Sequence, residues 1–327
     1  MTSTPAALIG VDVGCTTISA GLVTSEGEIL ATVQCPTNLG SKTGVDAMLG
    51  MIAALSEEGV ARHITVEAVG VGVPGLVDVE RGMLRSSAGS HMADFEGAPL
   101  AERIHTKTGL PAFVDNDVNA LALGEWLFGL GRSTSSCVVL AVGSGVGAGV
   151  IVDGRLVRGN SGCAGEIGHV SVDLDGPICI CGGRGCLAVY VGGECLASEA
   201  RRHLMGEPSS LLDLAGGDLG AITAELVFQA ARVGDDLAGR MVARACQALG
   251  AGLGLVVNTL DPEVVVVTGG VVNSLGLLEN EIMRRAREYT LADALARTRI
   301  HLVPGDKRQT VRGGAALVLY ERARRNT

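Results

Sequence analysis

The chain has 327 residues, enough for two domains with developed cores, and those cores must be aliphatic because apolar residues make up 47% and aromatic ones only 2%. A net charge of −9, with no basic run before the terminal Arg322-Ala-Arg-Arg, excludes a nucleic-acid surface and leaves that tail as a solvated last helical turn. An opening Met-Thr-Ser-Thr-Pro without a signal-like apolar run, no stretch of about 18 uninterrupted apolar residues, and nine cysteines without a disulfide pattern point to a soluble protein of a reducing cytoplasm with no membrane partner.

Residues 6–13 read as a buried strand ending in Asp12-Val-Gly-Cys-Thr-Thr, and strands over 18–24 and 29–34 follow. The tight turn offers backbone N–H groups and hydroxyls from Gly14, Cys15, Thr16 and Thr17 to phosphate oxygens. Asp12 can hold the magnesium that accompanies such phosphates. A helix over 45–59 and a strand over 66–73 lead to Pro74-Gly75 and a polar stretch containing His91. A helix over 100–106 and a short strand from 111 to 114 then reach Asp115-Asn116-Asp117, just before a helix over 118–130. A cap residue is wanted at such a junction in any case. The alternative is chemical: Asp117 accepts a proton from a substrate hydroxyl while Asn116 orients the substrate ring.

A strand over 138–142, the turn Gly143-Ser144-Gly145-Val-Gly-Ala-Gly and a strand to 152 repeat the first glycine-rich hairpin. The repetition points to a duplicated lobe with phosphates clamped by both copies. Residues 166–186 then bring His169, Cys179, Cys181 and Cys186 together among turn-forming glycines. Three thiolates and an imidazole are the ligand set of tetrahedral zinc, so a structural zinc site is expected. Helices are expected over 187–205, 220–234 and 236–258, the last with Ala245, Leu249, Gly252 and Val256 on its packing face. The wholly apolar strand 264–267 reads as central and parallel, and it runs into Gly269-Gly270, where bare backbone can lie against an adenine or ribose. A helix over 275–289, a strand over 299–304 and a last helix over 313–325 complete the chain.

Together these segments resemble the ROK family of sugar kinases and repressors, within the actin-like, hexokinase-like ATPases, over nearly the whole chain. Gly10 to Thr16 is similar to its first phosphate motif, Gly143 to Gly147 to the second, and Val264 to Gly270 to its adenosine motif. The resemblance implies a two-lobed α/β fold with ATP and a hexose in the cleft between lobes. Residues 1–117 with a C-terminal helix about 313–327 would form the small lobe, and 118–312 the large one. It implies Asp117 as the base for the sugar 6-hydroxyl. Asn116, Glu166, His169, His91 and Gly75 would contact the sugar, and His169 with the three cysteines would hold zinc. It also implies magnesium, and a homodimer.

Three departures stand out. The family usually has Gly-Thr-Lys where this chain has Cys15-Thr16-Thr17, Leu-Glu where it has Leu187-Ala188, and an Asn where it has His91. A lost hydrogen-bond partner for a sugar hydroxyl costs on the order of 1 kcal/mol. The expected substrate is therefore a glucose-like hexose that includes amino sugars such as kanosamine, with glucose itself and N-acetylhexosamines as alternatives. Because the first strand begins by Ala6, the DNA-binding domain of the family's repressors is not expected. A sugar-binding protein without catalysis is disfavoured by the presence of Asp117.

Overall fold

The computed structural model describes residues 5–37, 43–87 and 92–325. The chain runs through β1 (Ala6–Val13), β2 (Thr17–Val23), β3 (Ile29–Pro36), α1 (Gly44–Ala61), β4 (Thr65–Val73), β5 (Leu76–Asp78), β6 (Met83–Ser86), α2 (Leu100–Thr108), β7 (Ala112–Asn116) and α3 (Asp117–Phe128). Then follow β8 (Cys137–Val142), β9 (Val146–Val152), β10 (Arg155–Leu156), α4 (Leu187–Val191), α5 (Gly193–His203), α6 (Leu211–Leu214), α7 (Ala224–Arg232) and α8 (Asp236–Leu260). The last elements are β11 (Val264–Thr268), α9 (Val272–Leu275), α10 (Glu279–Tyr289), α11 (Ala292–Arg297), β12 (Arg299–Leu302) and α12 (Lys307–Arg325).

Two five-stranded sheets share one plan. The first has the order β3-β2-β1-β4-β7 and the second β10-β9-β8-β11-β12. In the first, β1 pairs antiparallel with β2 and parallel with β4, and β4 pairs parallel with β7. In the second, β11 lies parallel to both β8 and β12. The repeated hairpin legible in the sequence is thus part of a repeated sheet. Packing divides the chain into one unit of residues 1–135, 149–164 and 306–327 and a second of 136–148 and 165–305.

In the first unit both faces of β1 are covered, so its side chains alternate between two cores. Ala7, Ile9, Val11 and Val13 pack with α1 and α2 residues such as Met48, Ile52 and Ile104. Leu8 instead joins Val311, Ala315 and Val318 of α12. This second face is unusually close, because a β-carbon at Gly10 would overlap the Val311 carbonyl oxygen and one at Gly70 the Gly314 carbonyl oxygen. Helix α12 therefore sits backbone-to-backbone on β1 and β4, and its position along them is fixed. In the second unit the four valines of β11 are fully buried, as an interior parallel strand requires.

Several boundaries differ from the sequence expectation. The helix expected over 187–205 is two helices, because the chain turns extended at Gly192. The last helix begins at Lys307, six residues before Gly313, with the Asp306 carboxylate accepting the Arg308 N–H at 2.8 Å. Helix α8 is long and apolar enough to cross a membrane, but 61% of its apolar window is buried inside the protein. Ala245, Leu249, Gly252 and Val256 are all buried, as a core helix demands.

Candidate functional site

In the first unit the chemistry gathers at the ends of β1 and β7. The turn after β1 closes through a Gly14 N–H bond to the Thr17 carbonyl at 3.0 Å. The Thr37 hydroxyl donates to the Gly14 carbonyl at 2.6 Å, and the Thr37 N–H to the Thr16 carbonyl at 3.0 Å. Cys15 and Thr16 stand exposed at its tip, and Thr17 begins β2. Although Cys15 is exposed at the surface, partial desolvation by the surrounding turn, then the nearby Asp117 charge, push its thiol up.

Asp12 lies under this turn, buried. Its Oδ2 accepts from Lys307 Nζ and from Thr310 Oγ1, each at 2.9 Å. Sequence reasoning named neither partner. They arrive from the first turn of α12, some 295 residues away in the chain, in a segment expected to be loop. The polar run Gly305-Asp306-Lys307-Arg308 behind a strand was the available signal, since an Asp there is a helix cap.

At the end of β7 the three polar residues divide three tasks. Asp115 is buried and accepts from Arg158 Nε at 2.8 Å and from Asn119 Nδ2 at 3.1 Å. Arg158 also binds Glu321, which is fully buried, at 2.6 Å. Asn116 is the helix cap: its Oδ1 accepts from the Val118 and Asn119 N–H groups at 2.9 and 3.1 Å. Its Nδ2 donates to the Gly75 carbonyl at 3.1 Å. Gly75 has φ +107°, and a β-carbon there would overlap the Ser86 carbonyl oxygen, so only glycine fits.

Asp117 is the first residue of α3 and half-buried. Burial first, then the charge of Asp12, raise its carboxyl to about 7. The N–H groups of Val118 and Asp117 and the Lys307 ammonium act in the other direction and lose. A carboxyl that titrates near neutrality suits a general base.

In the second unit the four residues expected to hold a metal do converge. His169 ends a single 3-10 turn, Ile167–His169, which follows exposed Glu166. Cys179 N–H bonds the Gly183 carbonyl at 2.8 Å and Gly185 N–H the Pro177 carbonyl at 2.8 Å, folding the loop on itself. Cys186 caps α4. His169 Nδ1 lies 3.6 Å from Cys179 Sγ, Cys181 Sγ lies 3.7 Å from Cys186 Sγ, and all four donor atoms fall within 4.8 Å of one another. Zn–S bonds of about 2.3 Å and Zn–N of about 2.0 Å in a tetrahedron impose edges of roughly 3.5–3.8 Å, so the donors fit zinc. Burial, then Cys181 and Cys179, push the Cys186 thiol up to about 12, and a bound cation is what would hold these sulfurs as thiolates.

Gly143 and Gly145 face open space, and the Gly193 N–H donates to the Gly143 carbonyl at 2.8 Å. The Ser144 carbonyl accepts from Glu194 N–H at 3.1 Å, leaving its side chain exposed. Gly269 closes on Val142 of β8, with the Val271 N–H bonded to the Val142 carbonyl at 3.1 Å, and Gly270 faces open space. The ends of β8 and β11 thus bring the second hairpin and the two glycines side by side. Ala188 is buried within α4. His91 lies outside the described residues.

A model of the ROK family matches residues 8–321. Glucokinase of Thermotoga maritima is 32% identical over 311 residues, covering 95% of this chain and 96% of its own. Among solved structures, a ROK family glucokinase from Streptomyces griseus in complex with glucose and AMPPNP superposes with a TM-score of 0.78. It is 32% identical, and the match covers 95% of this chain and 98% of that one. A ROK hexokinase from Thermus thermophilus gives 0.78 at 27% identity, covering 97% and 99%.

Proposed function

The chain belongs to the ROK family and is a sugar kinase of actin-like fold, and we propose that it transfers the terminal phosphoryl group of ATP to the 6-hydroxyl of a glucose-like hexose. The observation that carries this reading is Asp117, a carboxyl held near neutrality beside the phosphate-type turn that contains Asp12. Asp117 takes the proton of the sugar hydroxyl as its oxygen bonds to phosphorus. The bond from phosphorus to the bridging oxygen breaks, and ADP leaves with that electron pair. Catalysis of this kind is mostly positioning and charge stabilisation.

In this reading the turns of Gly14, Cys15, Thr16 and Thr17 and of Gly143, Ser144 and Gly145 receive the phosphates, with the Gly14 and Gly143 N–H groups spent on closing those turns onto the Thr17 and Gly145 carbonyls. Gly269 and Gly270 receive the nucleoside. Asp12 would hold magnesium, which when bound offsets the charge of the phosphates. Asn116, already committed to capping α3 and tethering Gly75, orients Asp117 and fixes that strand end against the sugar. Glu166 and His169 complete the sugar contacts, with His91 as a further candidate. Zinc, held by His169, Cys179, Cys181 and Cys186, would fix the loop that carries Glu166.

Buried Ala188 offers no side-chain acceptor where the family resemblance leads to the expectation of a carboxylate, which favours an altered hydroxyl pattern at the sugar. We therefore place amino-hexoses such as kanosamine first, plain glucose second and N-acetylhexosamines third. The enzyme is proposed to work in the cytoplasm as a homodimer. The test is a panel of hexoses with ATP, and separately with polyphosphate, read as kcat/KM. An amino-hexose that matches or exceeds glucose supports the ranking, and glucose ahead by tenfold or more overturns it. Failure of every hexose overturns the kinase reading itself.

A further inference from the structure

The turn between β1 and β2 has a charge problem. Any phosphate that reaches the turn also meets the buried carboxylate of Asp12 and, when it is ionised, that of Asp117, so the anion wants a cation in addition to any magnesium that Asp12 would hold. The side chains of the turn itself, Cys15, Thr16 and Thr17, bring no cation. Helix α12 does. Lys307, its first residue, extends back to Asp12, and its Nζ stands 3.6 Å from where a β-carbon on Gly14 would be. The ammonium is therefore within reach of the turn at Gly14.

Two features mark this as more than a surface ion pair. Its placement is fixed, because α12 is seated on the backbones of Gly10 and Gly70 and cannot slide along β1. Yet the ammonium is free to exchange partners: the Lys307 side chain is 49% exposed, whereas that of Asp12 is 8% exposed. The Asp12 carboxylate is buried, so the lost ion pair has to be made good, while the ammonium end lies half in solvent and can swing away without leaving a closed site. Thr310 also bonds the same Asp12 oxygen and stays when Lys307 leaves, so Asp12 retains a donor.

We propose that Lys307 is the phosphate-binding cation of this site, moving from Asp12 to the terminal phosphoryl oxygens when nucleotide binds. The inference rests on the kinase reading and adds a residue to it. As the phosphorus-to-bridging-oxygen bond breaks and the sugar oxygen bonds to phosphorus, the ammonium neutralises charge on the oxygens that transfer. It also lies close enough to lower the Asp117 carboxyl, and so keeps part of that base ionised.

The test compares Lys307→Met, Lys307→Gln and Lys307→Arg with the wild type. Gln keeps a donor for Asp12 without the charge, so it remains folded if loss of that bond is what unfolds the Met variant. The measurements are kcat/KM for ATP with a hexose acceptor, and the Kd values of ATP and AMP by calorimetry. Met and Gln are expected to lose at least 100-fold in kcat/KM and at least tenfold in ATP affinity. AMP, which lacks the β- and γ-phosphates, should bind within twofold of wild type, and Arg should stay within tenfold in kcat/KM. Turnover of the Gln variant within threefold of wild type overturns the proposal, as does an equal loss of ATP and AMP binding. Wild-type protein inactive on every hexose would instead overturn the kinase reading, and the ATP-to-AMP comparison would still judge Lys307.

Discussion

Asp115, Asn116 and Asp117 are consecutive, and neighbouring structure gives each a different job. One is locked to Arg158, one caps α3, and one is held half-buried near Asp12 with its carboxyl raised to about 7. The raised value has two consequences. In the free enzyme kcat/KM should fall tenfold per pH unit below about 7, since the base is then protonated; a profile flat down to pH 5 contradicts the assignment. A carboxyl raised on folding adds stability below its unfolded value of about 4, and that contribution is lost as pH rises through about 7. Removing the charge with Asp117→Asn should therefore raise Tm by a few degrees at pH 8 and not at pH 4. Sequence reading reached Asp117 but could not separate cap from base, because both roles want a short polar side chain at a strand-to-helix junction.

At the scale of elements, the convergence of His169, Cys179, Cys181 and Cys186 was legible because the four lie within one short segment, 169–186, and local turns alone bring them together. Lys307 and Thr310 were not legible, since only the tertiary seat of α12 carries them to Asp12. That seat is itself testable. Gly70→Ala would drive a β-carbon into the Gly314 carbonyl oxygen, which only backbone movement can relieve. We expect a loss of about 2–3 kcal/mol in urea unfolding, with weakened ATP affinity as α12 lifts Lys307 away; an unchanged midpoint contradicts the close packing. For the loop, Cys181→Ser should release the metal, one zinc per chain in the wild type by elemental analysis. It should raise KM for the sugar at least tenfold while leaving the Kd of ATP within twofold. Equal zinc content in both proteins would overturn the ligand assignment.

Across the whole molecule, both sheets follow one strand order, which the paired glycine-rich hairpins had announced. What the sequence pattern could not convey is how the first unit gathers three distant stretches of chain. Arg158 joins Asp115 of β7 to Glu321 of α12, and both carboxylates are buried. Arg158→Met leaves them without that cation and should cost about 3–5 kcal/mol. Urea unfolding of this variant within 1 kcal/mol of wild type would show that the network is not a tie. Nothing local singles out Arg158 from Arg155, because a cation's importance depends on which carboxylates the fold buries around it.

The central claim is that Asp117 is the base of a sugar kinase. Its most direct test is Asp117→Asn, with kcat measured alongside the Kd of the hexose. Asparagine keeps the size and the start of α3 but cannot take the hydroxyl proton. We predict kcat reduced by about 10³-fold or more with hexose affinity within threefold of wild type. A variant that turns over within tenfold of wild type would contradict the account.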